Sequence, residues 1–252
     1  MFFAVFIFGL IIGSFLNAAI FRLHSGEGIV SGRSKCVHCG HVLEARDLVP
    51  VLSFIFLRGR CRYCKARISW QYPIVELITS IAFILLASNY ELRITNYEFW
   101  IQAFFICTFI IIAVYDYKHY LILDKVVFPS LGFAFVFAAV SGQQPIVNSL
   151  LGALAIAGFF GLQYLLSKGR WIGLGDVKFG LLFGAVLGLK LSVAGLFLAY
   201  FIGALAGMAL LALNRKKLSD KLPFGVFLST AAIVVLLYGE KILAWYENLT
   251  GL

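Results

Sequence analysis

GLGDVKFGLLFGAVLG, residues 173–188, sets one carboxylate, Asp176, behind two glycines at the doorway of a strongly apolar segment. A charge beside hydrocarbon is costly, so whether this segment lies in lipid decides both the fold and the meaning of the carboxylate. Of the 252 residues, 62% are hydrophobic and 13% charged, and the mean hydropathy is +0.95. Soluble domains average roughly 45–50% and 25%, so the chain is expected to be integral to a membrane. Continuously apolar runs near the ~17–25 residues of a helical span occupy residues 2–21, 73–90, 99–115, 121–141, 146–167, 177–189, 192–213 and 222–239. The sixth is short for a full span, and is expected to be tilted, broken or shielded by its neighbours. An outer-membrane barrel needs alternating segments of about ten residues, and these runs do not alternate. The expected fold is an all-α polytopic membrane protein of about eight transmembrane helices.

The basic residues predict an orientation. With the N-terminus outside, the inside segments hold all of the 21 Lys and Arg residues except Arg93, Lys190 and Lys241. Basic residues gather on the cytoplasmic side of membrane proteins, so the net charge of +9 is explained by topology. Anionic lipid headgroups, not nucleic acid, are the expected partners of most of these cations. Asn17-Ala18-Ala19 could be read as a signal-peptide cleavage site. Nothing basic precedes the first run, however, while Arg22 follows it, so this segment is expected to stay as an anchor.

Residues 22–72 form the one extended hydrophilic segment. Within it Cys36 and Cys39, then Cys61 and Cys64, make two C-x2-C pairs separated by 21 residues. Each pair suits a knuckle that gives two thiolates to one tetrahedral Zn²⁺. Two disulfides are the alternative, disfavoured in a reducing cytosol. Four protein ligands leave no open position, so the expected zinc is structural, stapling a module too small to hold a core alone. His38 and His41 could replace a ligand but are expected to be exposed knuckle residues. Cys107, alone in the third run, is expected to be a small apolar packing residue.

Carboxylates recur at the inside ends of runs. AVYDYKHYLILDKVV holds Asp116 and, eight residues on, Asp124; WIGLGDVKFG holds Asp176. Taken singly, each suits a helix cap. Asp116 and Asp176 are expected at one depth, on one side, on different helices. Two carboxylates brought together can share one proton, leaving one acid and one base. The base activates water against a peptide carbonyl and the acid protonates the leaving amine, which is aspartic-protease chemistry. Gly173 and Gly175 carry no side chains, so a substrate backbone or a neighbouring helix can approach Asp176. Asp124 remains a rival partner for Asp176 on spacing alone.

These blocks resemble, over almost the whole chain, the type IV prepilin leader peptidases, the A24 class of GxGD membrane aspartic proteases. GSFLNAAIFRL at 13–23 is similar to that family's opening signature. SGRSKCVHCG, DLVPVLSFIFLRGRCRYC and ISWQYPIVEL look like its zinc-loop block, DYKHYLILD and GLGDVKFGLLFGAVLG like its two aspartate blocks, and LPFGVFLS at 222–229 like its closing motif. The short length and compact loop look most like the Gram-positive competence branch. Carried over by position, the resemblance makes Asp116 and Asp176 the catalytic pair and Cys36, Cys39, Cys61 and Cys64 the metal ligands, with Asp124 in positioning. One departure is Leu123, where the family usually has proline.

The implied organisation is a first helix at 1–21, a cytoplasmic zinc-binding module at 22–72 that would carry any N-methyltransferase part, and a peptidase core at 73–252. The implied substrates are pilin or pseudopilin precursors in the bilayer, cut after a glycine on the cytoplasmic face. Many members then methylate the new N-terminus with S-adenosylmethionine. Two rival classes predict otherwise. A proton-coupled transporter would hold carboxylates near mid-membrane and show similar halves, and a zinc-loop scaffold for a secretion machine would leave the aspartates without a task.

Overall fold

The computed structural model describes residues 2–28, 32–89, 97–141, 145–213 and 221–250. Arg93, Arg215, Lys216 and Lys217, which enter the expected charge asymmetry, lie outside the described residues. The elements in chain order are α1 (Phe2–Ser25), a 3₁₀ turn (Ala45–Asp47), α2 (Leu52–Phe56), α3 (Gln71–Asn89), α4 (Tyr97–His119), α5 (Asp124–Ser141), α6 (Ile146–Ser167), α7 (Leu174–Ala212) and α8 (Phe224–Thr250). No strand forms among the described residues, only the isolated bridges Lys35–Val42 and Arg60–Arg67. Six of the helices, α1, α3, α4, α6, α7 and α8, are long and apolar enough to cross a membrane. Leu154, Leu165, Phe197 and Phe201 expose well over half of their surface along α6 and α7, which lipid tolerates and water would not. The chain is an integral membrane protein.

The expected sixth and seventh runs emerge as one element of 39 residues, with a break inside it. Gly188 has φ 71 and ψ 176, outside helical space and accessible chiefly to glycine. The chain doubles back there. A Cβ placed on Gly195 would lie 2.7 Å from Phe183 Cζ. On a straight helix, twelve residues at about 1.5 Å each would hold these positions about 18 Å apart. Residues 174–187 and 189–212 are therefore two arms of a hairpin, and the short sixth segment is its first arm. With α5 added, the apolar helical segments match the expected runs. The helices overshoot those runs at some ends, α1 to Ser25 and α8 to Thr250, because a helix continues past the hydrocarbon boundary without cost to its backbone bonds.

Two compact units divide within α4. The first spans Met1–Cys107 and the second Thr108–Leu252. In the first, α1 packs on α3 where two glycines admit the partner's backbone: a Cβ on Gly13 would stand 2.6 Å from the Glu76 Cα. The polar segment is fastened to these helices by buried polar groups. Asn17 Nδ2 donates to the Tyr72 carbonyl (3.0 Å), and Gln71 Nε2 donates to Asn17 Oδ1 (3.0 Å). The Val51 N–H donates to the buried Glu76 carboxylate at 2.7 Å. In the second unit α6 and the first arm of α7 meet backbone to backbone at Gly152 and Gly184, the close approach that small residues allow in lipid.

Candidate active site and metal centre

The two cysteine pairs fold as near copies. In the first, Cys36 N–H donates to the His41 carbonyl (2.9 Å) and Gly40 N–H to the Cys36 carbonyl (2.9 Å). In the second, Cys61 N–H donates to Ala66 (2.8 Å) and Lys65 N–H to Cys61 (3.0 Å). Gly40 and Lys65 turn each tip with positive φ, 69 and 60. The four Sγ atoms lie within 4.8 Å of one another, and Cys36 and Cys64 are 3.8 Å apart. A tetrahedral Zn²⁺ with bonds of about 2.3 Å requires sulfurs about 3.8 Å apart, so the four thiols fit that metal. All five cysteines are free.

Burial pushes the Cys36 thiol up, but the N–H groups of Cys39 and His38 outweigh it and hold it down to about 6. The Ala66 N–H lowers Cys64, yet burial and the three neighbouring sulfurs push it up to about 11. His38 and His41 are not among the four clustered donors, and the His41 ring lies on Tyr63 at 3.7 Å.

The carboxylates group in the second unit. Asp116 sits in the last turn of α4, where its carbonyl accepts the N–H of Tyr120 (2.8 Å), a residue turned to φ 53. Asp176 occupies the third position of α7, and its Oδ2 accepts the Gly173 N–H at 3.1 Å. The cap role open to it in the sequence is therefore real. It does not exhaust the residue, because Asp176 also feels the charge of Asp116 from another helix. Asp116 is 5% exposed, and its Oδ2 has no hydrogen-bond partner among the described residues. The N–H groups of Gly225 and Val226, in the first turn of α8, face the same carboxylate.

Asp124 has a different environment. Lys178 Nζ reaches both of its oxygens, at 2.9 and 2.8 Å, and the pair is well exposed. This ion pair ties the start of α5 to α7 beside Asp176. At Leu123 the carbonyl accepts the N–H groups of Val126 and Val127 (both 3.0 Å), opening α5 where the resemblance expects proline. Gly175 is closely approached, and the approaching group is Ile122: a Cβ on Gly175 would stand 3.2 Å from Ile122 Cβ. Ile122 also lies against Gly225, 3.3 Å from its would-be Cβ. One side chain thereby spaces the starts of α7 and α8.

Sequence reasoning singled out neither Gly225, Ile122 nor Lys178. LPFGVFLS marked the first as part of a motif without a task, and Lys178 is only two residues beyond Asp176.

The Bacterial Peptidase A24 N-terminal domain matches residues 7–90, which hold the four cysteines, and the Type IV leader peptidase family matches residues 103–208, which hold the three aspartates. A Prepilin leader peptidase/N-methyltransferase of Bacillus subtilis (strain 168) is 34% identical over 242 residues, covering 96% of each chain. Its namesake in Aeromonas hydrophila is 32% identical over 273 residues, covering 96% of this chain and 92% of the relative. That of Pseudomonas aeruginosa is 27% identical, over 96% and 92%. No solved structure matches the chain.

Proposed function

The chain belongs to the type IV leader peptidase family, and on that premise we propose that it is a membrane aspartic endopeptidase removing the leader from pilin-like precursors. Asp116 and Asp176 form the catalytic pair. The observation that carries this is the Asp116 carboxylate, buried with an oxygen left without a partner and close enough for Asp176 to feel its charge. An unpaired buried oxygen costs stability, and a pair that shares a proton while it polarises water gives that cost a purpose. Asp124, its charge answered by Lys178, is a positioning residue. One carboxylate takes a proton from the attacking water while the other gives its proton to the scissile carbonyl oxygen; the first then passes the proton it took to the leaving amine, and the second recovers one from the gem-diol as it collapses.

Cleavage follows the glycine that ends the leader, on the cytoplasmic face. The N-terminus lies outside and the cysteine module inside, as the basic residues favour. Cys36, Cys39, Cys61 and Cys64 hold a structural Zn²⁺, and its part is to fix the fold of residues 22–72. The relatives' name joins an N-methyltransferase to the peptidase and so implies S-adenosylmethionine.

Co-expression with a pilin precursor tests the pair. Asp116→Asn and Asp176→Asn should each lower processing by about a hundredfold or more while the protein still inserts, and Asp124→Asn should be milder. An inactive Asp124→Asn beside an active Asp116→Asn would overturn the assignment.

A further inference from the structure

The first unit carries a cavity of about 700 Å³ that none of the three aspartates lines. Its walls include Arg58, Arg60 and Arg67, with Trp70 at the side and Pro73 and Leu77 of α3 at the floor, and no carboxylate lines it. The three arginines are exposed, and among the described residues none forms an ion pair. Beside them stand apolar side chains that a polar module would not ordinarily present to water. Ile55 is 60% exposed, Phe56 81% and Trp70 68%.

Depth explains the combination. Pro73 and Leu77 belong to the first turns of a membrane-crossing helix, so the floor lies at the end of a span and the arginines lie just beyond it. Tryptophan and arginine favour that boundary. Guanidinium groups also match phosphate oxygens in pairs. We propose that this cavity holds the headgroup of one anionic phospholipid, with its acyl chains running along the exposed Ile74 and Leu77 of α3.

Charge excludes the other candidates. A basic leader peptide is repelled by three unpaired arginines. A methyl donor bearing a sulfonium and an ammonium against one carboxylate is net positive and is repelled as well. The proposal depends on membrane insertion and not on the aspartate pair, so either can fail alone.

Zinc-loaded, full-length protein, stripped of lipid in dodecyl maltoside and offered equal phosphatidylglycerol and phosphatidylcholine, should retain one phosphatidylglycerol per chain by native mass spectrometry. The expected preference is at least tenfold. It should vanish in the Arg58→Gln, Arg60→Gln, Arg67→Gln triple variant, with zinc content unchanged as the check on folding. Should the triple variant lose zinc, the single Arg58→Gln and Arg67→Gln variants decide, each expected to lower the preference about threefold. Equal retention of the two lipids, or single variants that bind like the wild type, would overturn the proposal. So would displacement of the lipid by millimolar inorganic phosphate or by S-adenosylhomocysteine, which would show a free-anion or a methyl-donor site.

Discussion

Asp116 keeps its place because residue 225 has no side chain. A Cβ there would stand 2.8 Å from Asp116 Oδ2 and 3.1 Å from its Cγ. The backbone of α8 is fixed by its own hydrogen bonds, so an added methyl must move the carboxylate. Gly225→Ala should therefore lower turnover at least tenfold, about 1.4 kcal/mol in the barrier. Thermal stability should hold, since alanine is the better helix former. Full activity in this variant would show that the geometry around Asp116 is not what sets the rate. Gly175 has a related lesson. Its missing side chain was expected to admit a substrate or a helix, and the group beside it is Ile122. The three aspartates and four cysteines were legible because local spacing and position at span ends carry them. Gly225, Ile122 and Lys178 act through contacts between helices distant in the chain, and no local periodicity encodes those.

At the scale of elements, the cysteine module depends on pairing its two knuckles. Asp47 ties the second knuckle to the 3₁₀ turn: it accepts Arg62 Nε at 2.6 Å and Tyr63 Oη at 3.0 Å, with its side chain only 3% exposed. Burial pushes its carboxyl up, but the Arg62 hydrogen bond, the Glu44 N–H and Tyr63 outweigh that and hold it below the usual carboxylate range. A carboxyl lowered in the folded state stabilises fully above its unfolded value, about 3.9. That contribution fades as pH falls through the lower folded value. Asp47→Asn should therefore release zinc to a chelator several-fold faster at neutral pH, and the difference from wild type should shrink in acid. Equal release rates at neutral pH would deny Asp47 this role. Zinc itself should be present at about one per chain and be lost on Cys36→Ser with Cys39→Ser. The twin C-x2-C spacing made this module readable in sequence. The hairpin at Gly188 was only half readable: hydropathy showed a short run, but the reversal depends on a positive φ.

At the scale of the whole molecule, composition settled that the chain lives in a membrane, and the apolar runs settled nearly every long helix. The division into two units within α4 was not legible, because it reflects which helices pack together and not how apolar each one is. Each unit carries its own chemistry, the cysteine cluster in the first and the aspartates in the second. That separation makes the central claim testable without reference to the metal. The measurement is the N-terminal mass of a pilin precursor co-expressed with the wild-type chain and with its Asp176→Asn variant. The precursor should be shortened to the residue after its leader glycine in the first case and left whole in the second, with the same zinc content in both proteins. A precursor shortened equally by both, or left whole by both, would contradict it.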